Sequence, residues 1–253
     1  MMRAAIAILL LLIFGGVRLP LEIHLAQEQQ SAGFHSATLN LPLREQIGQL
    51  GFVAALSGFR SLVAAYLWIE ANSAFENVEW GRMAGLFQTV TTLQPKSILY
   101  WDMSGWHMAW NAANNAYEDK SQASEVLRMR AQRQYWNLGR KFYEDGLKAN
   151  PDSGELWARY GDLLSQKYED HEGAFHAYET ASTKNDARPQ YHRQAAYELA
   201  AVPGKEREAY QFLKSIYDLG PSQRMPSIIH DLKLLEEKLG IPPDQRIEKK
   251  AAH

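Results

Sequence analysis

Apolar positions fall into three regimes along the chain. From Ala4 to Val17 they run without interruption, bounded by Arg3 and Arg18. From Ala26 to Asn40 they lose any period among Gln, Ser and Gly. Beyond residue 43 they recur at helical spacing, and Pro42, Pro95, Pro151, Pro189, Pro221 and Pro226 stand between the periodic segments. Proline inside a helix forfeits a hydrogen bond and clashes with the preceding turn, so these prolines mark joints. No stretch alternates as a strand bounded by tight turns. The pattern predicts an all-α chain with a hydrophobic leader over 1–25, a linker over 26–42, a helical domain over 43–240 and a frayed tail over 241–253.

The leader has three readings: an uncleaved anchor, a cleaved signal peptide, or an apolar helix within the fold. Fourteen apolar residues suit the core of a signal peptide, but no small-x-small cleavage site follows cleanly. If Arg18 snorkels to the headgroups, the helix continues to Ile23 and reaches roughly the 20 residues of a membrane span. An uncleaved anchor is the preferred reading, with the body exported. A second apolar stretch, Leu50–Ile69, has Arg60 at its centre. A charge there disfavours a span. It reads instead as a helix joint at Ser57-Gly58 followed by a buried helix, with Arg60 paired to Glu70 or Glu76.

The helical domain repeats. Pro95, Trp101, Ser104, Gly105 and Met108 have counterparts 56 residues later in Pro151, Trp157, Tyr160, Gly161 and Leu164. Ala174, Tyr178 and Ala181 have counterparts 35 residues on either side: Gly139, Tyr143 and Gly146 before, Ala209, Leu213 and Ile216 after. Trp157, Tyr160, Gly161 and Leu164 map by the same step onto His192, Ala195, Ala196 and Leu199. Small residues at one set of positions let paired helices approach, and large ones fill the gaps between pairs.

This pattern resembles the tetratricopeptide repeat, in which Trp-x2-Leu-Gly-x2-Tyr lies on a first helix and Ala-x3-Phe-x2-Ala on a second. Pro151–Ala187 is the unit most similar to it. Gly58–Trp68 also resembles the start of membrane-anchored bacterial proteins of that type. The resemblance implies an α-solenoid of stacked antiparallel helix pairs: a degenerate pair over 57–93, an expanded pair over 95–150, regular pairs over 151–187 and 188–220, and a charged closing helix over 225–240. Its framework residues are Trp101, Gly105, Trp157, Gly161, Ala174, Tyr178, Ala181 and Ala196. The expansion, 21 residues between Met108 and Gly139, predicts two long helices joined near Tyr117–Gln122, with Asp119 or Ser121 as N-cap.

Composition narrows the chemistry. The chain has no cysteine, which excludes disulfides and thiolate ligands or nucleophiles. A net charge of −2 gives no general attraction for nucleic acid. His171-Glu172 and His176 approach the zinc-protease motif, but the i, i+5 spacing turns the rings apart by about 500° around the helix. There is no phosphate-binding glycine loop and no Gly-x-Ser-x-Gly. Neither a cofactor nor a metal is implied, and the chain reads as a binding module rather than an enzyme. A subsidiary reading makes it an accessory subunit that positions a catalytic partner. Arg128, Arg130, Arg133 and Arg140 read as a solvated helix face.

In repeats of this type the concave groove is lined by residues one turn from the packing seam. Here those are Asp102, Trp106, Ala109 and Trp110; then Ala158, Asp162, Ser165 and Gln166; then Arg193, Tyr197, Ala200 and Ala201. Trp106, Trp110 and Tyr197 are the aromatic anchors, the residue types that dominate binding hot spots. Asp102, Asp162, Gln166 and Arg193 are the orienting polar groups. No Lys-x3-Asn arrangement clamps a chain terminus, so an internal peptide or helix of an envelope protein is the expected partner. The competing reading buries Trp106 and Trp110 as core beneath the expanded helices.

Overall fold

The computed structural model describes residues 58–247, which lie within one compact unit. Those residues are helical with no strand. The leader and linker lie outside the described residues. Among those described, no helix is long and apolar enough to cross a membrane.

Helix α1 (Arg60–Glu76) follows Gly58, whose φ of +75° breaks the chain direction where a side chain would be strained. It lays Ala64, Leu67, Ala71 and Ala74 against α2 (Trp80–Leu93). Arg60 is exposed at its start, not buried, and Glu70 is taken by Arg82 from α2. The helix begins at Arg60, so the residue sits at an end open to water rather than mid-segment.

Helix α3 spans 98–118 as three joined stretches: α-helical Ile98–Trp106, π-helical His107–Ala112, and α-helical Ala113–Glu118. Helix α4 (Glu125–Ala149) returns along it. A Cβ added to Gly146 would meet Trp101, one on Gly105 would meet the Tyr143 ring, and one on Gly139 would meet Ala109. Residues early on α3 thus face residues late on α4, so the helices are antiparallel. They pack so tightly that Gly139 approaches the backbone oxygen of Gly105, 2.7 Å from where its Cβ would be. The N-cap of α4 is Ser124, whose hydroxyl accepts from the Leu127 N–H. Asp119, expected as a cap, instead closes a local turn by accepting from the N–H and hydroxyl of Ser121. Gln122, Ala123 and Ser124 separate that turn from the helix, so neither Asp119 nor Ser121 is its cap.

Helices α5 (Gly154–Tyr168) and α6 (His171–Ser182) form the next pair, capped by Ser153 and Asp170. Asp186, beyond α6, accepts from the N–H groups of Gly154 and Glu155, placing a carboxylate at the positive end of α5. Tyr178 lies over Gly161, and Ala174 is fully buried. Trp101 donates its Nε1–H to the carbonyl of Pro95 at 2.9 Å, and Trp157 donates to that of Pro151 at 3.1 Å. The same bond therefore ties each tryptophan to the loop six residues before it. Helices α7 (Pro189–Ala201), α8 (Glu206–Asp218) and α9 (Pro226–Lys238) continue the series, each packed chiefly on its sequence neighbours.

The segment after α9 is not a frayed tail as far as residue 247. Ile247 is 5% exposed and joins the core, and its N–H donates to Oε1 of Glu236 at 2.8 Å. Glu236 is itself 1% exposed and also receives the Tyr210 hydroxyl. One of the charged residues expected to cap the open end in water is thus a buried acceptor that holds returning chain. Residues 248–253 lie outside the described residues.

Candidate functional site

The π turn of α3 sets the site. Buried residues on α3 recur every fourth position: Trp101, Gly105, Ala109 and Ala113, with Ser104, Met108 and Ala112 beside them. In an α-helix each four-residue step overshoots one turn by about 40°, so the row would spiral off the seam. Widening one turn to i→i+5 bonding absorbs the overshoot and keeps the row against α4. Trp106 and Trp110 each follow a seam residue by one position. The correction therefore leaves both on one flank of α3, off the seam.

That flank opens onto α5. A pocket of about 230 Å³ is lined by Trp106 and Trp110 from α3, Tyr143 from α4, and Arg159, Asp162 and Gln166 from α5. Trp106 is 41% exposed, and Trp110 is half-buried. The Trp110 Nε1–H donates to Gln166 at 3.3 Å, and the Lys167 ammonium lies 5.0 Å from its ring centroid. Burial pushes the Lys167 amine below its usual range.

Two tyrosine–aspartate pairs support the charged side. Tyr143 donates to Oδ1 of Asp102 at 3.1 Å, and Tyr178 donates to Oδ1 of Asp162 at 2.6 Å. The Arg159 guanidinium stands between the two carboxylates, 3.5 Å from each. Burial raises the Asp102 carboxyl, a shift that Arg159 and the Tyr143 hydroxyl oppose. Burial, with the adjoining aspartate, also holds both phenols well above their usual range, so each stays a donor. On α3 itself, His107 packs edge-on against Phe75 and Trp106, and burial lowers it from its ordinary value.

A second concavity, about 180 Å³, continues along the first helices. It is lined by Glu155, Ala158, Arg159 and Asp162 from α5, Tyr178 from α6, and Arg188, Gln190, Tyr191 and Gln194 around α7. Arg159 and Asp162 line both hollows, so the two are neighbours across α5.

Of the expected groove residues, Asp102, Trp106, Trp110, Asp162 and Gln166 meet here. Ala109 is fully buried against α4, and Ala158, 5% exposed, lines the second concavity rather than the first. Ser165 is turned to Glu198. Arg193 and Tyr197 lie one unit on, where they engage Gln223 and Ser227 ahead of and on α9. They do not line either concavity. Sequence reasoning passed over Arg159, Lys167 and Tyr143 as site residues. The signal for the last was present: tyrosines 143 and 178 recur at the repeat step, each opposite a glycine.

His171 and Ser165 both bond to Glu198, at 2.8 Å each, so the carboxylate lies between them. A nucleophilic serine needs the histidine as its proton acceptor, which is the other order. Among the described residues no group of three side chains is placed to hold a metal ion. No protein-family model matches the chain, and no curated protein matches it significantly.

Proposed function

We propose that this chain is an α-solenoid of tetratricopeptide type that binds a segment of another protein in the groove between α3 and α5. An N-terminal anchor helix would hold it to the bacterial inner membrane, with the helical domain on the extracytoplasmic side and an envelope protein as partner. The recurring tryptophan-to-proline-carbonyl bond and the recurring tyrosine over glycine support the repeat reading. The observation that carries the functional reading is the exposed edge of Trp106 beside Trp110 over a floor of Tyr143, ringed by Arg159, Asp162 and Gln166. Tryptophan left open to water beside polar side chains is the composition of a binding hot spot. The hollow has room for one large side chain, and its polar rim fixes the backbone that carries it.

The test is affinity purification of the full chain from detergent-solubilised membranes, in parallel with the Trp106→Ala/Trp110→Ala double variant. A protein recovered with the parent and lost from a double variant of unchanged fold is the expected result. Equal recovery with both would contradict the groove. The tether is tested separately by a reporter fused after His253, expected to be active only outside the cytoplasm.

A further inference from the structure

The charged side chains around Arg159 indicate what the partner brings. Of the carboxylates along the two hollows, Asp102 and Asp162 are largely occupied, and Glu155, 36% exposed, faces Arg188. Asp102 and Asp162 each accept a tyrosine hydroxyl on one oxygen and face Arg159 with the other. Their side chains are 16% and 27% exposed. The cations are more open. Arg159 is 49% exposed and Arg188 54%. Their contacts to carboxylates are 3.5 Å and 3.7 Å, against about 2.7–2.9 Å for a well-formed charge-assisted bond. The only side-chain hydrogen bond of Arg159 among the described residues is the 3.5 Å one to Asp162. The ammonium of Lys167 adds a third cation over Trp110. A ligand entering from water therefore meets guanidinium donors with unused capacity, and a guanidinium fork matches a carboxylate. A basic ligand would have to displace Arg159 from between two aspartates.

Resting on the groove reading, we infer that the partner segment carries an acidic side chain close to a large apolar one. The apolar residue enters between Trp106 and Trp110. The carboxylate meets Arg159, with Arg188 the next cation along α5 and α7.

The probe is a set of fluorescein-labelled, C-terminally amidated peptides, otherwise Gly and Ser, read by anisotropy with the full chain in detergent. Each carries Leu or Phe, with Asp, Asn or Lys one to four residues away. The Asp set is expected to bind about tenfold tighter than the Asn set, and to weaken as salt rises. Arg159→Gln should reduce that gap to about twofold, while melting shows the fold retained; Arg188→Gln should narrow it less. Tighter binding by the Lys set, or a gap that survives both substitutions together, would overturn the inference. If all sets bind alike and Trp106→Ala abolishes them, the groove stands and the acidic assignment falls. Binding indifferent to Trp106→Ala, or no binding by any set, removes both.

Discussion

In the pair α3–α4, Trp101 donates to the Pro95 carbonyl and Tyr143 covers Gly105; in the pair α5–α6, Trp157 donates to Pro151 and Tyr178 covers Gly161. The hidden positions of the two pairs are thus filled alike. The open positions are not. Where α3 presents Trp106 and Trp110, α5 presents Asp162 and Gln166, 56 residues on. The fit also differs. A Cβ on Gly105 would lie 2.5 Å from its tyrosine ring, and one on Gly161 would lie 3.0 Å from its own. The longer pair is packed more closely, carries a π turn and shows more aromatic surface. The seam sets the geometry, and the flank is free to vary in chemistry.

The sharpest way to break that comparison is to add one methyl group to each seam. Gly139→Ala would press on the Gly105 carbonyl and the Ala109 backbone, which have no rotamer to yield. A loss of about 3 kcal/mol is expected. Gly161→Ala meets only the edge of a tyrosine ring, and its better helix propensity returns about 1 kcal/mol. Its melting temperature should stay near that of the parent. Equal shifts in thermal unfolding would mean that the two seams are not packed differently.

The hydroxyls separate the pairs by a smaller amount. Tyr178→Phe removes a 2.6 Å bond to Asp162 and Tyr143→Phe a 3.1 Å bond to Asp102. Each should cost about 1–2 kcal/mol in denaturant unfolding, with Tyr178→Phe the larger. The reverse order would show that Asp102 relies on its tyrosine more than on Arg159.

The smallest effect is in pH. Burial lowers His107 in the folded state, so the unfolded chain binds its proton more readily. The neutral ring's contribution is complete above about pH 6.5, the ordinary histidine value, and is lost as pH falls through the folded value. His107→Phe should flatten this part of the stability profile between about pH 7 and 5. An unchanged profile would place the acid sensitivity elsewhere.

How far these features can be read from sequence follows from their physics. Helix starts at Pro189 and Pro226 are legible because proline's fixed φ and missing N–H are local properties. The all-helical class is legible because the apolar period is. The π turn left a trace in the four-residue spacing of Gly105, Ala109 and Ala113, but that spacing is also tolerable over one or two α-turns. Arg159 was invisible as a site residue because its place depends on two aspartates, one of them on α3. Ser124 could not be chosen over Asp119 as the cap without knowing where the turn closes. The return of Ile247 to the core depends on Glu236 finding a backbone N–H and a tyrosine, a tertiary arrangement that overrides the polar look of the segment.

A groove beside α3 requires different duties for Trp101 and for the pair Trp106/Trp110 on one helix, and unfolding of two variants side by side tests that most directly. Trp101 is 8% exposed and bonded to the Pro95 carbonyl; Trp101→Ala should cost about 3–5 kcal/mol. Trp106→Ala/Trp110→Ala together should cost no more than about 2 kcal/mol, because Trp106 is 41% exposed and Trp110 lies half-open above Gln166 and Lys167. A double variant that unfolds as readily as Trp101→Ala, or more so, would make these tryptophans core and contradict the groove.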